Sequence, residues 1–225
     1  MPNWCNNTFT IEGKKEKIQE FQKFLDDNDG KEWFSFFRPC PQELLNVGNV
    51  SFHTPPNEEL VEKYGHSDWY SWSLENWGCK WNCDAQDWDM TEDGDRASVG
   101  FWFDSPWGPP TALYEFIANE MEDFDIVANY HEEGMGFVGR FEDGFDESYE
   151  YSNLESLESI PEEIVDHWDL SGLLEGREEW NEDEEEMTEE ESEAAVAEMN
   201  EKLDQMVEDF KKEHGTSEWP GKPKE

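Results

Sequence analysis

Residues 96–121 read RASVGFWFDSPWGPPTALYEFIANEM and contain two patterns in succession. The first half alternates large apolar residues with Ser, Gly and Trp, which is the two-residue period of a strand with one buried face. The Pro109-Pro110 pair then favours a helix start. Apolar residues follow at helical spacing, namely Leu113, Phe116, Ile117 and Met121. The stretch therefore predicts a strand followed by a helix.

The same order of elements occurs at the start of the chain. Asn3 to Glu12 alternates as a strand does, and Lys14 to Asp27 has one apolar helical face that ends at Asn28-Asp29-Gly30. Two more strands are predicted at 124–131 and 136–141. We therefore expect an α+β fold, with a ferredoxin-like antiparallel sheet, helices on one face and one extra strand.

Residues 31–95 are rich in Pro, Gly, Trp and Asp and show no clear period. Their pattern indicates short strands at Asn49 to His53 and around Trp69 to Leu74, and it leaves the rest of this stretch open.

The charge divides the chain into two parts. With 58 acidic and 16 basic residues the formal net charge is -42, of which residues 1–140 carry -17 and residues 141–225 carry -25. Nine of the 12 Trp lie in the first part. We expect a globular domain over residues 1–152 and an acidic helical extension over residues 153–225.

Two helices are predicted in the extension. The first covers about 161–170, after Pro161. The second covers about 189–213, where Thr188 and Glu191 fit a capping box and apolar residues such as Met199 and Leu203 recur at spacings of three and four. This apolar stripe needs a partner, which is either the chain's own domain or a second copy in self-association.

Composition excludes several classes of protein. A chain this acidic does not bind nucleic acid directly through a basic surface. Its sequence has no stretch of the ~20 apolar residues that a membrane span needs and no secretory signal, so we expect a cytoplasmic protein without membrane contact. Its four cysteines are expected to be free thiols.

The motifs that could carry chemistry all fail on their context. Residues 134–139 match a dinucleotide-binding glycine pattern, but the sequence after them continues as a strand. Cys79 and Cys83 lack the second matched pair of a zinc site, and residues 89–100 lack the Glu that closes a calcium loop. No nucleophile or zincin motif surrounds any of the five His. We expect no metal, no cofactor and no enzymatic activity.

Four segments together resemble the YubB ferredoxin-like family of bacteriophages and plasmids. They are residues 1–7 (MPNWCNN), 76–81 (NWGCKW), 103–110 (FDSPWGPP) and 130–139. The resemblance covers about residues 1–142 and implies a ferredoxin-like fold, a mobile genetic element as origin and a bacterial host cytoplasm, with no established reaction. The chain has Cys79 where the family tends to have Thr and Gly108 where it tends to have Ser, and the acidic extension lies outside the resemblance.

The aromatic motifs supply candidate binding residues. Flat side chains with polar edges suit stacking on a base or gripping an extended peptide. The alternative is that they lock an irregular loop onto the sheet, with the indole N–H groups satisfied by backbone carbonyls. Lys80, a lone cation flanked by two Trp, is either salt-bridged or reserved for an anion. The candidates are Asn76, Trp77, Lys80, Trp81 and Trp107.

The acidic extension supplies a second hypothesis, imitation of nucleic acid to occupy a basic DNA-binding or defence protein of the host. Residues 178–193 contain 11 acids in 16 positions. As a helix they present one charge per about 2.2 Å, near the ~1.7 Å of duplex DNA, whereas an extended chain gives one per about 5 Å. The candidate residues of this acidic surface are Glu182, Asp183, Glu184, Glu185, Glu186, Glu189, Glu190 and Glu191.

Two alternatives to mimicry remain at this point. The chain binds a small ligand or nucleotide through the Trp/Asn/Lys loop, with the acidic extension as a solubilising linker, or its acidity reflects a saline habitat.

Overall fold

The computed structural model describes residues 3–47 and 56–185 and, beyond them, residues 199, 200, 202, 203, 205 and 206. The chain forms an α+β structure with a six-stranded antiparallel sheet, so the predicted class is confirmed at that level. The strands are β1 (Trp4–Lys14), β2 (Gln86–Asp93), β3 (Arg96–Pro106), β4 (Phe124–Glu132), β5 (Phe137–Glu142) and β6 (Phe145–Glu150).

Eight α-helices accompany the sheet in the described ranges, together with a 3-10 helix at Leu154–Ser159. They are α1 (Lys15–Asn28), α2 (Phe34–Phe37), α3 (Gln42–Leu45), α4 (Glu58–Tyr64), α5 (Trp69–Asn76), α6 (Thr111–Glu120), α7 (Glu162–His167) and α8 (Leu170–Glu185). No helix among the described residues is long and apolar enough to cross a membrane.

The strand order is β2-β3-β1-β4-β5-β6. β1 occupies an interior position because it pairs antiparallel with both β3 and β4, so that Phe9 lies opposite Phe101 on one side and Ala128 on the other. β2 and β6 form the two edges of the sheet.

Alternation along β1 separates two faces of the sheet. Asn7, Phe9 and Ile11 are buried on the inner face, where α1 and α6 contribute apolar side chains to the same core. Trp33 lies fully buried in this core, with its ring centroid 4.9 Å from that of Phe9. The core therefore consists largely of interlocking aromatic rings.

Helix α7 packs on the opposite, outer face. His167 at its C-terminal end lies 3.0 Å from the Thr8 hydroxyl, measured from Nε2 to Oγ1, and Thr8 alternates with the inward-facing Asn7 and Phe9. The two helices predicted for the domain, α1 and α6, both contribute to the inner face, whereas α7, which was predicted as part of the acidic extension, covers the outer face. Ile164 is the buried apolar residue of α7. A sheet has two faces, and a helix with an apolar side can be buried against either of them.

The middle of the chain differs most from the predictions. Residues 69–74 belong to helix α5 rather than to a strand, because the Asp68 side chain accepts a hydrogen bond from the backbone N–H of Ser71 and caps the helix. Edge strands β2 and β6 were not predicted, and both are mostly exposed and acidic. The strand expected at 49–53 falls within residues 48–55, outside the described part of the chain.

The structure divides into two compact units, Met1–Ser171 and Gly172–Glu225. The first unit extends beyond the predicted boundary at residue 152, and independent folding of residues 1–152 stays a prediction. The helix expected at about 161–170 corresponds to α7, a short break at 168–169 and the start of α8. Of the helix expected at 189–213, only the six positions named above are described. They are helical, and Met199, Leu203 and Met206 are exposed.

Candidate functional site

The segment that follows α5 is anchored from inside by Trp77. This indole is buried against Phe34 and Trp72, and its Nε1 donates a hydrogen bond of 2.9 Å to the Arg38 carbonyl. The Trp77 carbonyl in turn accepts from the Leu113 backbone N–H at 3.2 Å, which ties the segment to the start of α6. Trp77 is thus a structural anchor rather than a ligand contact.

Asn76 is also committed to the scaffold. Its side chain is buried, and Nδ2 donates to the Trp72 carbonyl at 2.8 Å, one turn back along α5. Two of the five predicted binding residues, Asn76 and Trp77, therefore lie in the interior, with Asn76 Nδ2 and Trp77 Nε1 each donating to a backbone carbonyl.

Two buried thiols fix the backbone at Trp81. The Sγ atoms of Cys79 and Cys83 lie 3.3 Å and 3.8 Å from the Trp81 carbonyl oxygen, to which both donate. Burial raises the pKa of the Cys83 thiol, so it stays protonated and able to donate. The backbone carbonyl of Trp81 is thus held by two buried groups, while the residue as a whole is only half-buried.

A buried polar network shapes the loop at residues 105–108. Asn7 Nδ2 donates to Ser105 Oγ at 2.9 Å, and Ser105 Oγ donates to the Gly108 carbonyl at 2.7 Å. Trp107 adopts φ +73°, which is uncommon for a residue with a side chain, while its backbone N–H donates to the Asn3 carbonyl. The network therefore presents Trp107 on a strained turn, where the residue is about half exposed.

Trp81 and the residues that follow it meet the start of β1 and the last part of β3 in a groove at this end of the sheet. The indoles of Trp4 and Trp81 lie 6.5 Å apart between ring centroids, tilted by 59°. Asp84 and Asp104 line the groove beside them, in a space of about 220 Å³. We call this the tryptophan groove. It is acidic and aromatic and is open to solvent.

A cation already lies against the groove's aromatic wall. Lys80 Nζ is 4.6 Å from the Trp81 ring centroid, and Lys80 is not among the groove's lining residues. On the other side, the Asp104 carboxylate accepts from Asn6 Nδ2 at 2.7 Å, which fixes its orientation. One acidic side chain is thus held in place near an indole that a cation already contacts.

The structure brings together only part of the predicted site. Trp81 and Lys80 are in contact, and Trp107 follows Pro106, which pairs with Trp4 across β1 and β3. Sequence reasoning missed Trp4, Asp84 and Asp104. A signal existed for Trp4, because the strand alternation that buries Cys5, Asn7 and Phe9 places it on the outer face.

The acidic candidates fall partly outside the described residues. Glu182, Asp183, Glu184 and Glu185 lie in the last turns of α8, whereas Glu186, Glu189, Glu190 and Glu191 are beyond them. Across the described ranges, no three His, Cys, Asp or Glu side chains gather as a metal site.

The basic side chains of the first unit are largely occupied by the protein itself. Arg38 stacks over Phe116 at 4.5 Å and Lys80 over Trp81. Eight more each pair with a carboxylate, namely Lys14, Lys15, Lys17, Lys23, Lys31, Lys63, Arg96 and Arg140. The acidic excess therefore determines the field that a partner meets.

Comparison with known proteins gives little more. No family model matches the chain, and no curated protein matches it. A crystal structure of protein api92 from Yersinia pseudotuberculosis, with the family model DUF1281, is similar at a TM-score of 0.34 and 13% identity. The similarity covers 68% of this chain and 99% of that one.

Proposed function

We propose that this chain is a non-enzymatic binding protein whose acidic surface occupies a basic, DNA-binding protein of a bacterial host. The observation that carries the proposal is helix α8, which continues to Glu185 and so includes the first half of the acidic segment 178–193. Mimicry by that segment requires a helix, because only a helix brings its charges close enough together.

The charge spacing in α8 approaches that of duplex DNA. Residues 178–185 contain six acids in eight positions. At a rise of ~1.5 Å per residue this gives one charge per about 2 Å, against ~1.7 Å for DNA. A basic surface that neutralises phosphates would find a comparable charge density here.

The order of the strands supports the fold that belongs to this proposal. The neighbours β2-β3-β1-β4, with α1 after β1 and α6 after β3, follow the split βαβ order of a ferredoxin-like domain. Strands β5 and β6 extend it at one edge. Membership of the YubB family and a phage or plasmid origin remain part of the proposal.

Ligand binding by the five candidate residues of the aromatic motifs has less support. Asn76 and Trp77 are buried and hydrogen-bonded to backbone carbonyls, which leaves Lys80, Trp81 and Trp107 as accessible members. A nucleotide would need more of the cluster to face one cavity.

The test uses the full chain with the six acids of residues 178–185 changed to Gln or Asn. Immobilised wild-type protein is expected to capture basic proteins from a bacterial lysate, and duplex DNA or high salt should release them. The six-amide variant should lose this capture. The partners would then be identified and tested for displacement from DNA by the purified protein.

A matched control removes the same number of charges elsewhere, at the exposed residues Asp89, Asp93, Glu147, Glu150, Glu155 and Glu158. It should retain capture. Equal loss of capture in both variants would show that net charge alone explains the binding. Capture that duplex DNA does not reverse would refute mimicry.

A further inference from the structure

We propose that the tryptophan groove binds the guanidinium group of an arginine side chain from a partner protein. The inference deepens the proposed function, on which it rests for the basic character of the partner. It concerns a different part of the molecule from the acidic helix, and it assigns a chemical group to a defined set of residues.

The size of the groove indicates a side chain rather than a cofactor. Its volume of about 220 Å³ is below the ~300–1,000 Å³ of typical small-molecule sites. It is also open to solvent, as a site for part of a larger partner must be. One long side chain fits such a space, with its backbone remaining outside.

The chemistry of the lining selects a cation. Two indoles present π faces whose negative potential attracts positive charge, and Lys80 shows that the Trp81 ring accepts such a contact at 4.6 Å. Asp84 and Asp104 add two carboxylates to the same wall. An anion such as a phosphate would meet these carboxylates unfavourably.

Arginine fits this arrangement better than lysine does. The guanidinium is planar, stacks on aromatic rings and donates several hydrogen bonds in one plane. The tilted pair Trp4 and Trp81 offers a surface for stacking, and the acceptors Asp104 and Asp84 line the same groove. Asp104 is held by Asn6, so it needs little reordering to accept.

The experiment follows the indole N–H resonances of the full-length protein by NMR at 150 mM salt. The probes are the peptide Ac-Gly-Ser-Arg-Gly-Ser-amide and the same peptide with neutral citrulline or with lysine in place of arginine. Trp4→Phe and Trp81→Phe variants assign the two groove indoles. The arginine peptide should shift these two saturably and leave the buried Trp77 indole unchanged.

The expected differences come from the loss of charge and of stacking. The citrulline peptide should bind about tenfold more weakly than the arginine peptide, and lysine should fall between them. Asp104→Asn should weaken arginine binding by roughly three- to tenfold. Asp89→Asn, which removes the same charge from β2 outside the groove, should change it less than about twofold.

Several results would overturn the inference. They are equal binding of the arginine and citrulline peptides, equal effects of Asp104→Asn and Asp89→Asn, or shifts of the groove indoles by single-stranded oligonucleotide instead of arginine. The six-amide variant of residues 178–185 should bind the arginine peptide as the wild type does. Loss of lysate capture in that variant and loss of peptide binding in Asp104→Asn therefore report on the two proposals separately.

Discussion

The inner face of the sheet and the tryptophan groove use the same residue type in opposite ways. Trp77 lies in the core with its Nε1 paired to a backbone carbonyl, whereas Trp81, four residues later, extends its ring into a solvent-open groove. Two buried thiols, Cys79 before Trp81 and Cys83 after it, hold the Trp81 carbonyl from the side of the core. The core thus builds the site, because inward anchoring of the chain allows the next indole to face outward.

The largest expected effect is the difference in stability between alanine substitutions at these two tryptophans. Trp77→Ala should reduce the free energy of unfolding by about 3–5 kcal/mol, because it leaves a large cavity. It also leaves the Arg38 carbonyl without its donor. Trp81→Ala should cost about 1 kcal/mol or less, since its ring is partly in water. Urea unfolding followed by circular dichroism measures both.

The order of the two tryptophans should be reversed when peptide binding is measured instead of stability. Trp81→Ala should abolish arginine-peptide binding while the protein stays folded. If the two substitutions destabilise the protein equally, Trp81 is a core residue and the comparison fails.

Sequence periodicity predicted the elements that bury a regular face. β1, β3, β4, β5, α1 and α6 all have one apolar side that packs in the core, and their patterns are visible in the chain. Strands β2 and β6 were not predicted, because edge strands with exposed acidic residues bury too few apolar side chains to show a two-residue period. Helix α5 escaped because its capping Asp68 precedes a run of aromatic residues that also suits a strand.

The candidate site was predictable only in its residue types. Trp81 and Lys80 were identified from their local motif, and they are in contact. Nothing local could show that Trp77 Nε1 meets the carbonyl of Arg38, 39 positions away, or that Trp4 approaches Trp81. Those contacts depend on how β1 and β3 pair and on how the loop after α5 packs against them.

A smaller effect tests whether the exposed tryptophan at the end of β3 is held under strain. At position 107, where φ is +73°, Gly should be more stable than Ala by about 1 kcal/mol, because a left-handed conformation disfavours a Cβ. At Trp102 in the extended part of β3, the order should reverse, with Ala more stable by roughly 0.5–1 kcal/mol. Both pairs lack an indole, so lost aromatic contacts cancel.

Urea unfolding of the four variants gives the two differences directly. If Ala is at least as stable as Gly at position 107, as it is expected to be at position 102, the turn at 107 stores no strain. The contrast between a relaxed strand and a strained presenting turn would then disappear.

The smallest expected effect is on the pH dependence of stability, at the part of the outer face that α7 covers. Burial, reinforced by the Arg140 guanidinium, lowers the pKa of the His167 imidazole, which lies 3.0 Å from the Thr8 hydroxyl. The unfolded chain takes up this proton below pH ~6.5, whereas the folded protein does so only at lower pH. Stability should therefore fall as the pH drops through that window. His167→Gln should remove this part of the loss, so the free energy of unfolding between pH 7.5 and 5.5 should decline more in the wild type. An equal decline would mean that α7 covers the sheet but leaves the His167 ring open to protonation from solvent. The covered region would then be as accessible as the groove.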